Sequence, residues 1–137
     1  MPHISVIIPV YNAGNYIVDT LNSVLQQTLK DIEVIVVNDG SNDQSLAECY
    51  RLQEIDKRII IINQDNQGVS KARNVGKQNA TGDYIIFIDA DDELDCRMLE
   101  ILYTQARKTD SDISVCGVDR IFEKKQEEKK QYHCNYE

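Results

Sequence analysis

The sequence contains few of the residues that form metal–thiolate or imidazole sites. Its four cysteines include no Cys-x-x-Cys pair, and its two histidines, His3 and His133, lie at opposite ends of the chain. Structural zinc sites and dithiol redox motifs need closely spaced Cys or His residues. We therefore expect reduced thiols, some of them buried, and no role for either histidine in a metal site.

Positive charge and long apolar segments are also scarce. The chain carries 15 Lys and Arg against 23 Asp and Glu, which gives a formal net charge of -8. Nucleic-acid-binding surfaces need clustered basic residues, so we expect no nucleic acid as a partner, whereas a nucleotide can bind where a metal ion supplies positive charge. No stretch has the length of a membrane span, and the N-terminus has no signal-peptide pattern. We therefore expect no membrane span and a cytoplasmic location.

The residues that are present suit one α/β domain. In 137 residues, 42% of them hydrophobic, five runs rich in β-branched residues alternate with segments of helical periodicity. The runs are Ile4–Ile8, Glu33–Val37, Ile59–Ile62, Tyr84–Ile88 and Ile113–Val118. Continuous Val and Ile runs are typical of parallel strands that are buried on both faces. The sequence therefore predicts an α/β fold in which helices cover both faces of a mainly parallel sheet.

Helical periodicity predicts four helices that connect or follow these strands. The first is expected from Gly14 or Asn15 to Gln27, the third over Val69–Asn79, and the fourth after Asp92. Apolar residues recur on one side of each segment, as they do in helices that pack one face on a sheet.

The second helix is expected to begin after Ser41 or Asn42, because the side-chain oxygens of these residues suit an N-cap. Leu46, Cys49 and Tyr50 then form its buried stripe. The mixed-charge tract at residues 123–130 is expected to be solvated, and we assign it no function.

Polar residues cluster in three loops that follow the first, second and fourth predicted strands. These loops contain Pro9-Val10-Tyr11-Asn12, Asn38-Asp39-Gly40-Ser41 and Asp89-Ala90-Asp91-Asp92. Because parallel strands end at one edge of the sheet, where open α/β sheets bind ligands, we expect the Tyr11 ring and the aspartates of the other two loops to converge. A ring for stacking, a carboxylate that accepts an N–H group and a carboxylate pair for Mg2+ or Mn2+ suit a nucleotide diphosphate.

Each of these residues also has a structural explanation. Asp92 suits the N-cap of the fourth helix, residues 38–41 suit a turn, and Tyr11 suits a packed ring. Arg73 can pair with an aspartate and hold a pocket in shape, or it can face a diphosphate. A lone Asp-x-Asp arises by chance in many acidic chains, so this motif alone does not decide between these explanations.

Four blocks in fixed order give a stronger signal than any single motif. They are Val6–Asn12, Glu33–Ser41, Asn66–Asn74 and Gly82–Asp92, and together they resemble the inverting family 2 glycosyltransferases. The resemblance implies the GT-A fold, a Rossmann-like three-layer α/β sandwich with a mainly parallel central sheet. It also implies a nucleotide-sugar-binding domain over residues 1–118. Residues 119–137 would then be a charged tail or the start of a truncated acceptor-binding part.

The resemblance assigns roles to residues by their positions in these blocks. Tyr11 would lie against the uracil, Asp39 would accept its N3–H, and Pro9 would shape the turn near the nucleotide. Arg73 would lie near the diphosphate or the carboxylates, and Asp89 near the ribose. The residues implied in nucleotide-sugar binding are Pro9, Tyr11, Asn12, Asp39, Arg73, Asp89 and Ala90. Asp91 would bind the metal cofactor, Mn2+ or Mg2+.

The function implied is metal-dependent, inverting transfer of a sugar from a nucleotide-diphosphate sugar, most often a UDP-sugar, to an acceptor hydroxyl. The acceptor would be a carbohydrate or a lipid-linked molecule, the latter at the inner membrane face. The general base is expected beyond Glu137, with the acceptor-binding half. Two alternatives remain from the residues: a receiver domain of the response-regulator type and a nucleotide-binding module without chemistry.

Overall fold

Strands and helices alternate along the chain. The computed structural model describes residues 1–120, and the elements within them are β1 (Ile4–Val10), α1 (Ile17–Leu25), β2 (Ile32–Asp39), α2 (Ser45–Ile55), β3 (Ile59–Gln64), α3 (Val69–Asn79), β4 (Tyr84–Phe87) and α4 (Met98–Thr109). Among these helices, none is long and apolar enough to cross a membrane. The mixed-charge tract at residues 123–130 lies outside the described residues, and the predicted domain boundary at residue 118 stays a prediction.

The four strands form one parallel sheet in the order β3-β2-β1-β4. The chain moves outward from β1 to β3 and then crosses to the other side of β1. In open α/β sheets, ligands bind outside the carboxyl ends of the strands at such a reversal of strand order. The crevice is therefore expected beyond the ends of β1 and β4. A receiver domain has β3 beside β1, so this strand order argues against that alternative.

Helices pack on both faces of the sheet, as predicted. Val6 and Ile8 of β1 point into the larger core, which also contains side chains from α1, α2 and α4. Ile7, between them, points to the opposite face and packs with Ala72 of α3. Successive residues of a strand face opposite sides, so a continuous apolar run supplies both cores. The expected three-layer α/β arrangement with a parallel central sheet is confirmed.

Pro9 lies in a strand and not in the turn where we expected it. It is buried in β1 and is in register with Val37 of β2. The backbone of Ile7 faces β4, where its carbonyl accepts from Ile88 N at 3.0 Å. Pro9, two residues on, faces the same side, but the pairing of β1 with β4 ends at Ile7. The missing N–H of Pro9 therefore costs no ladder bond, and the opening between the two strands begins there.

The predicted fifth strand, Ile113–Val118, is wrong. In the described part of the chain this segment forms no strand, and its large apolar side chains are 79% to 88% exposed. The β-branched composition of this segment indicates only that its side chains would suit the pleated surface of a sheet. A strand also requires backbone hydrogen bonds to a neighbour, and this segment makes none of them within residues 1–120.

The predicted start of α2 is wrong, and so is the alternative that Asp92 caps α4, although α4 does follow Asp92 as predicted. Helix α2 begins at Ser45, and the carboxylate of Asp43, not Ser41 or Asn42, accepts from the Ser45 amide at 2.9 Å. Helix α4 begins at Met98, six positions after Asp92, so Asp92 does not cap it. The loop before α2 is longer than local patterns indicated because Asp43 also accepts from the Gly14 amide, which ties this loop to the loop after β1.

The buried stripe expected for α2 is only partly confirmed. Cys49 is fully buried and Leu46 is half-buried, but the side chain of Tyr50 is 46% exposed. Tyr50 directly follows Cys49, and adjacent helix residues point in directions about 100° apart. Because Cys49 is the residue that is buried, Tyr50 points away from the core.

Candidate functional site

The loops after β1 and β2 are joined through Asn12. Its amide donates to Ser41 Oγ at 3.0 Å, and its side-chain oxygen accepts from the Asn42 amide at 2.7 Å. Asn12 has a φ of 48°, a left-handed conformation that Asn tolerates better than most residues. The structure thus shows Asn12 as the residue that holds these two loops together, and its contact with a nucleotide stays a prediction.

A pocket of about 300 Å3 opens at the carboxyl edge, on the side of the sheet covered by α3. Residues from β1, β2 and the start of α3 line it: Pro9, Val10, Tyr11, Asp39, Asn66, Gly68, Val69 and Ala72. The Tyr11 side chain is 51% exposed, so the ring is not simply packed in the core. The pocket places an accessible ring beside a carboxylate, as the sequence predicted for Tyr11 and Asp39.

Asp39 is 3% exposed and holds the loop that forms the opposite wall of this pocket. Its Oδ1 accepts from Gln64 Nε2 at 2.8 Å and from the Gln67 amide at 2.8 Å, and its Oδ2 accepts from the Gly68 amide at 2.9 Å. Burial raises the pKa of Asp39, but these three hydrogen bonds outweigh it and leave the pKa below its usual value. Asp39 is therefore an ionised, almost fully hydrogen-bonded acceptor at the pocket.

Two glycines allow the loops after β2 and β3 to touch. Gly40 has a φ of 75°, and a Cβ there would lie 2.8 Å from the backbone nitrogen of Asn66. Gly68 has a φ of 92°, and this conformation directs its amide to Asp39. Other residues rarely adopt such backbone angles. Both glycines lie in blocks that the sequence analysis singled out, and the structure supplies the reason for them.

Arg73 and Asp89 form an ion pair on the exposed side of α3. Arg73 Nη2 donates to Asp89 Oδ1 at 2.8 Å, and the two side chains are 38% and 55% exposed. Arg73 Nε is buried and has no hydrogen-bond partner within the described residues. Of the two roles open to Arg73, the structure shows the pairing with an aspartate. Its unused donor is free for a further acceptor.

The Asp89–Asp92 segment forms a turn just beyond β4. The Asp92 amide donates to the Asp89 carbonyl at 3.0 Å, and the Ala90 carbonyl accepts from Thr20 Oγ1 at 2.9 Å, which ties the turn to α1. Ala90 thus contributes a backbone anchor. Burial raises the pKa of Asp92, and the neighbouring charges of Asp91 and Asp89 raise it further. The turn therefore concentrates negative charge that a cation would offset.

The carboxylates of this turn fit a hard divalent cation. Among residues 1–120, no group of three or more His, Cys, Asp or Glu is arranged to hold a metal ion unaided. Mg2+ is commonly bound by one or two carboxylates together with substrate phosphates. Asp91 is exposed and, with Asp89, offers oxygen ligands of the kind that Mg2+ and Mn2+ prefer over softer donors. The charges of Asp91 and Asp89, which after burial are the lesser causes of the raised pKa of Asp92, agree with this fit.

The structure arranges the predicted residues as two groups that α3 connects. Tyr11 and Asp39 share the pocket that the first turn of α3 lines, whereas Asp89 meets Arg73 one turn further along that helix. Gln64, which ends β3 beside Asp39, is not among the site residues predicted from the sequence. A polar residue at the carboxyl end of the predicted third strand was the signal available for it.

The chain is similar to known glycosyltransferases in sequence. The family model described as Glycosyl transferase family 2 matches residues 5–136. Glycosyltransferase GlyA of Streptococcus pneumoniae is 46% identical over 112 residues, which are 82% of this chain and 16% of that protein. The uncharacterized glycosyltransferase EpsJ of Bacillus subtilis is 44% identical over 119 residues, which are 85% of this chain and 34% of that protein. The chain thus spans 16% of the length of the first relative and 34% of the length of the second.

Solved structures with the same fold also show a similarity to glycosyltransferases. TarS of S. aureus, in a crystal structure with UDP-GlcNAc, matches with a TM-score of 0.74 and 29% identity over 88% of this chain and 37% of that one. The mannosyltransferase PcManGT from Pyrobaculum calidifontis, in complex with GDP-Man and Mn2+, matches with a TM-score of 0.66 and 27% identity over 70% of this chain and 29% of that one. The expected GT-A fold is confirmed, and the receiver-domain alternative is excluded. The chain belongs to glycosyl transferase family 2.

Proposed function

We propose that this chain binds a UDP-sugar and forms the donor-binding domain of a metal-dependent, inverting hexosyltransferase. The observation that carries the proposal is the ionised carboxylate of Asp39 beside the accessible ring of Tyr11. A ring that can stack on a base and an acceptor for a ring N–H are the two features that uracil recognition needs. The UDP-GlcNAc complex of TarS supports a uridine nucleotide as donor.

The other predicted site residues would contact the ribose and then the diphosphate of the UDP-sugar. With the base between Tyr11 and the loop after β3, the ribose would extend toward Asp89 and the diphosphate toward Arg73 and Asp91. Arg73 Nε, buried without a partner in the described residues, would donate to a phosphate oxygen. Pro9 contributes to the wall of the base pocket, while Asn12 and Ala90 keep the loops in place.

The cofactor in this proposal is Mn2+ or Mg2+, held by Asp91 with Asp89 nearby. When bound, the ion supplies Lewis-acid stabilisation of the negative charge on the leaving diphosphate. Electrostatics favours this arrangement, because the aspartates of the turn would otherwise repel the diphosphate. The complex of PcManGT with GDP-Man and Mn2+ supports the use of a divalent metal in this fold.

Inversion requires that the acceptor oxygen attack the anomeric carbon on the face opposite the diphosphate. The new C–O bond forms as the bond to the diphosphate breaks, and a general base takes the acceptor's proton. We propose that this base comes from beyond Glu137, with the part that binds a carbohydrate or lipid-linked acceptor. Without that part, the chain would act as a donor-binding module that has no chemistry of its own.

A calorimetric titration of UDP into this chain tests the proposal, first with Mn2+ and then with a chelator. We expect metal-dependent binding of UDP and weaker binding of GDP. Asp91→Ala should abolish the metal-dependent part and leave thermal stability nearly intact, because Asp91 is exposed. Asp65→Ala, at another exposed carboxylate of the same edge, is the matched control and should bind as the unmodified chain does. Unchanged metal-dependent affinity in Asp91→Ala would remove Asp91 from the site.

A further inference from the structure

The hydrogen bonds of Asp39 leave it with little accepting capacity for a ligand. A carboxylate has about four acceptor positions, two on each oxygen. Oδ1 uses both of its positions, for Gln64 Nε2 and the Gln67 amide, whereas Oδ2 uses one of its two, for the Gly68 amide. Asp39 can therefore offer one further acceptor, on Oδ2, to a molecule in the pocket.

Nucleobases differ in what they require of such an acceptor. Uracil presents one ring N–H between two carbonyl groups, so a single acceptor satisfies it. Guanine presents a ring N–H and an adjacent amino group, and the pair is best satisfied by both oxygens of one carboxylate. Cytosine and adenine present an unprotonated ring nitrogen, whose lone pair a carboxylate repels. A carboxylate with one free position therefore favours uracil, and one with a free position on each oxygen would also accept guanine.

Gln64 is the side chain that removes the second position. It ends β3 directly beside Asp39, with which it is in register across the β2–β3 pair, and its Nε2 lies 2.8 Å from Asp39 Oδ1. The other two donors are backbone amides: that of Gln67 needs no particular side chain, and that of Gly68 needs the backbone conformation of a glycine. Among the three donors to Asp39, only Gln64 donates through its side chain.

We propose that Gln64 determines base specificity: it occupies Asp39 Oδ1 and so leaves a single acceptor that selects UDP over GDP. Gln64 acts through Asp39 and needs no contact with the nucleotide, so it is a positioning residue. The inference rests on the proposed donor site, because it assumes that the base meets Asp39. It adds to that proposal the residue that makes the site selective for uridine.

The test compares UDP and GDP binding, measured by calorimetry with Mn2+, in the unmodified chain and in Gln64→Ala. The variant removes the donor together with the side-chain volume that covers Oδ1, so one position on Oδ1 becomes accessible to a ligand. We expect the preference for UDP over GDP to fall about tenfold, the worth of one hydrogen bond to a charged group. If Gln64 had a purely structural role, the variant would bind UDP and GDP more weakly by the same factor. The ratio of the two affinities would then stay unchanged.

Gln67→Ala is the matched control, because Gln67 donates to Asp39 through its backbone and its side chain is exposed. It should keep the preference for UDP. A ratio in Gln64→Ala equal to that of this control, with the unmodified chain still selective for UDP, would overturn the role of Gln64 and leave the donor site standing. Failure of the unmodified chain to bind either nucleotide would overturn both proposals.

A second variant, Gln64→Glu, gives a readout that folding alone would not produce. The new carboxyl group can donate to Asp39 only when it is protonated. We therefore expect little preference for UDP at neutral pH and a recovery of the preference as the pH falls. A preference that does not change with pH in this variant would count against the proposal.

Discussion

Replacing Asp39 by Asn should destabilise the domain, although the two side chains have nearly the same shape. In the variant, the single side-chain oxygen of Asn can accept from Gln64 Nε2 and the Gln67 amide. These are the two donors that share Asp39 Oδ1 in the unmodified domain. The amide nitrogen then faces the Gly68 amide, so two donors meet where an acceptor stood. The opposite orientation of the side chain is worse, because its nitrogen would face two donors.

The magnitude follows from this count. One hydrogen bond to a charged group is lost and one buried N–H is left unpaired, and each contributes about 1–3 kcal/mol. Because relief of the burial cost of the Asp39 charge offsets part of this, we expect a loss of about 2–3 kcal/mol in the free energy of unfolding. For a domain of this size, that corresponds to a melting temperature lower by roughly 10 °C.

The effect should also depend on pH. The pKa of Asp39 is lowered in the folded state, so its contribution is present above the ordinary aspartate pKa of about 3.9 and is lost as the pH falls through the folded-state value. The Asn variant has no such contribution. The stability gap between the two proteins should therefore be full at neutral pH and should narrow as the pH falls below about 4.

Urea denaturation followed by circular dichroism at a series of pH values measures this gap. Asp65→Asn is the control: Asp65 is an exposed carboxylate just beyond β3, and it makes no hydrogen bond to another described side chain. It should unfold as the unmodified domain does. Equal stability of Asp39→Asn and the unmodified domain, or a gap that does not change with pH, would refute the hydrogen-bonding role of Asp39.

Two further predictions concern α3 and the cysteines. Gly76→Ala should destabilise the domain by about 1–3 kcal/mol, since a Cβ at Gly76 would lie 2.3 Å from Ile7 Cγ2, and this overpacking exceeds the gain in helix propensity; a neutral or stabilising result in urea denaturation would contradict the close packing of α3 on β1. Burial, with a smaller contribution from a nearby carboxylate charge, raises the pKa of Cys49 to about 12, so its thiol should resist alkylation in the folded state while Cys96 and Cys116, both exposed, react. Mass spectrometry of labelled peptides checks this, and rapid labelling of Cys49 would be the contrary result.

Much of the fold could be predicted because its signals are local. Continuous β-branched runs gave four of the five predicted strands to within about two residues at most ends, and the apolar stripe of α3 gave that helix at Val69–Asn79. The errors arose where hydrogen bonds between residues distant in the sequence determine the end of an element. The start of α2 depends on the bonds of Asp43 to Ser45 and to Gly14, which lies 29 residues away.

The candidate site divides in the same way. That Tyr11 and Asp39 would lie at one edge followed from the sequence, because residues at the ends of parallel strands meet there. That Arg73 would pair with an aspartate was one of two possibilities, and only the structure identifies the partner as Asp89. The nucleotide, the metal and the acceptor remain proposals.

The sequence by itself determined the alternation of strands and helices, the edge where polar residues gather and the resemblance to family 2 glycosyltransferases. These properties depend on the order of residue types along the chain. Tertiary structure alone decided which groups donate hydrogen bonds to Asp39, because its three donors lie 25 to 29 residues away in the sequence. Which lone pairs of the Asp39 carboxylate stay free depends on donor–acceptor distances of less than 3 Å between strands and loops. Local sequence preferences do not encode these distances.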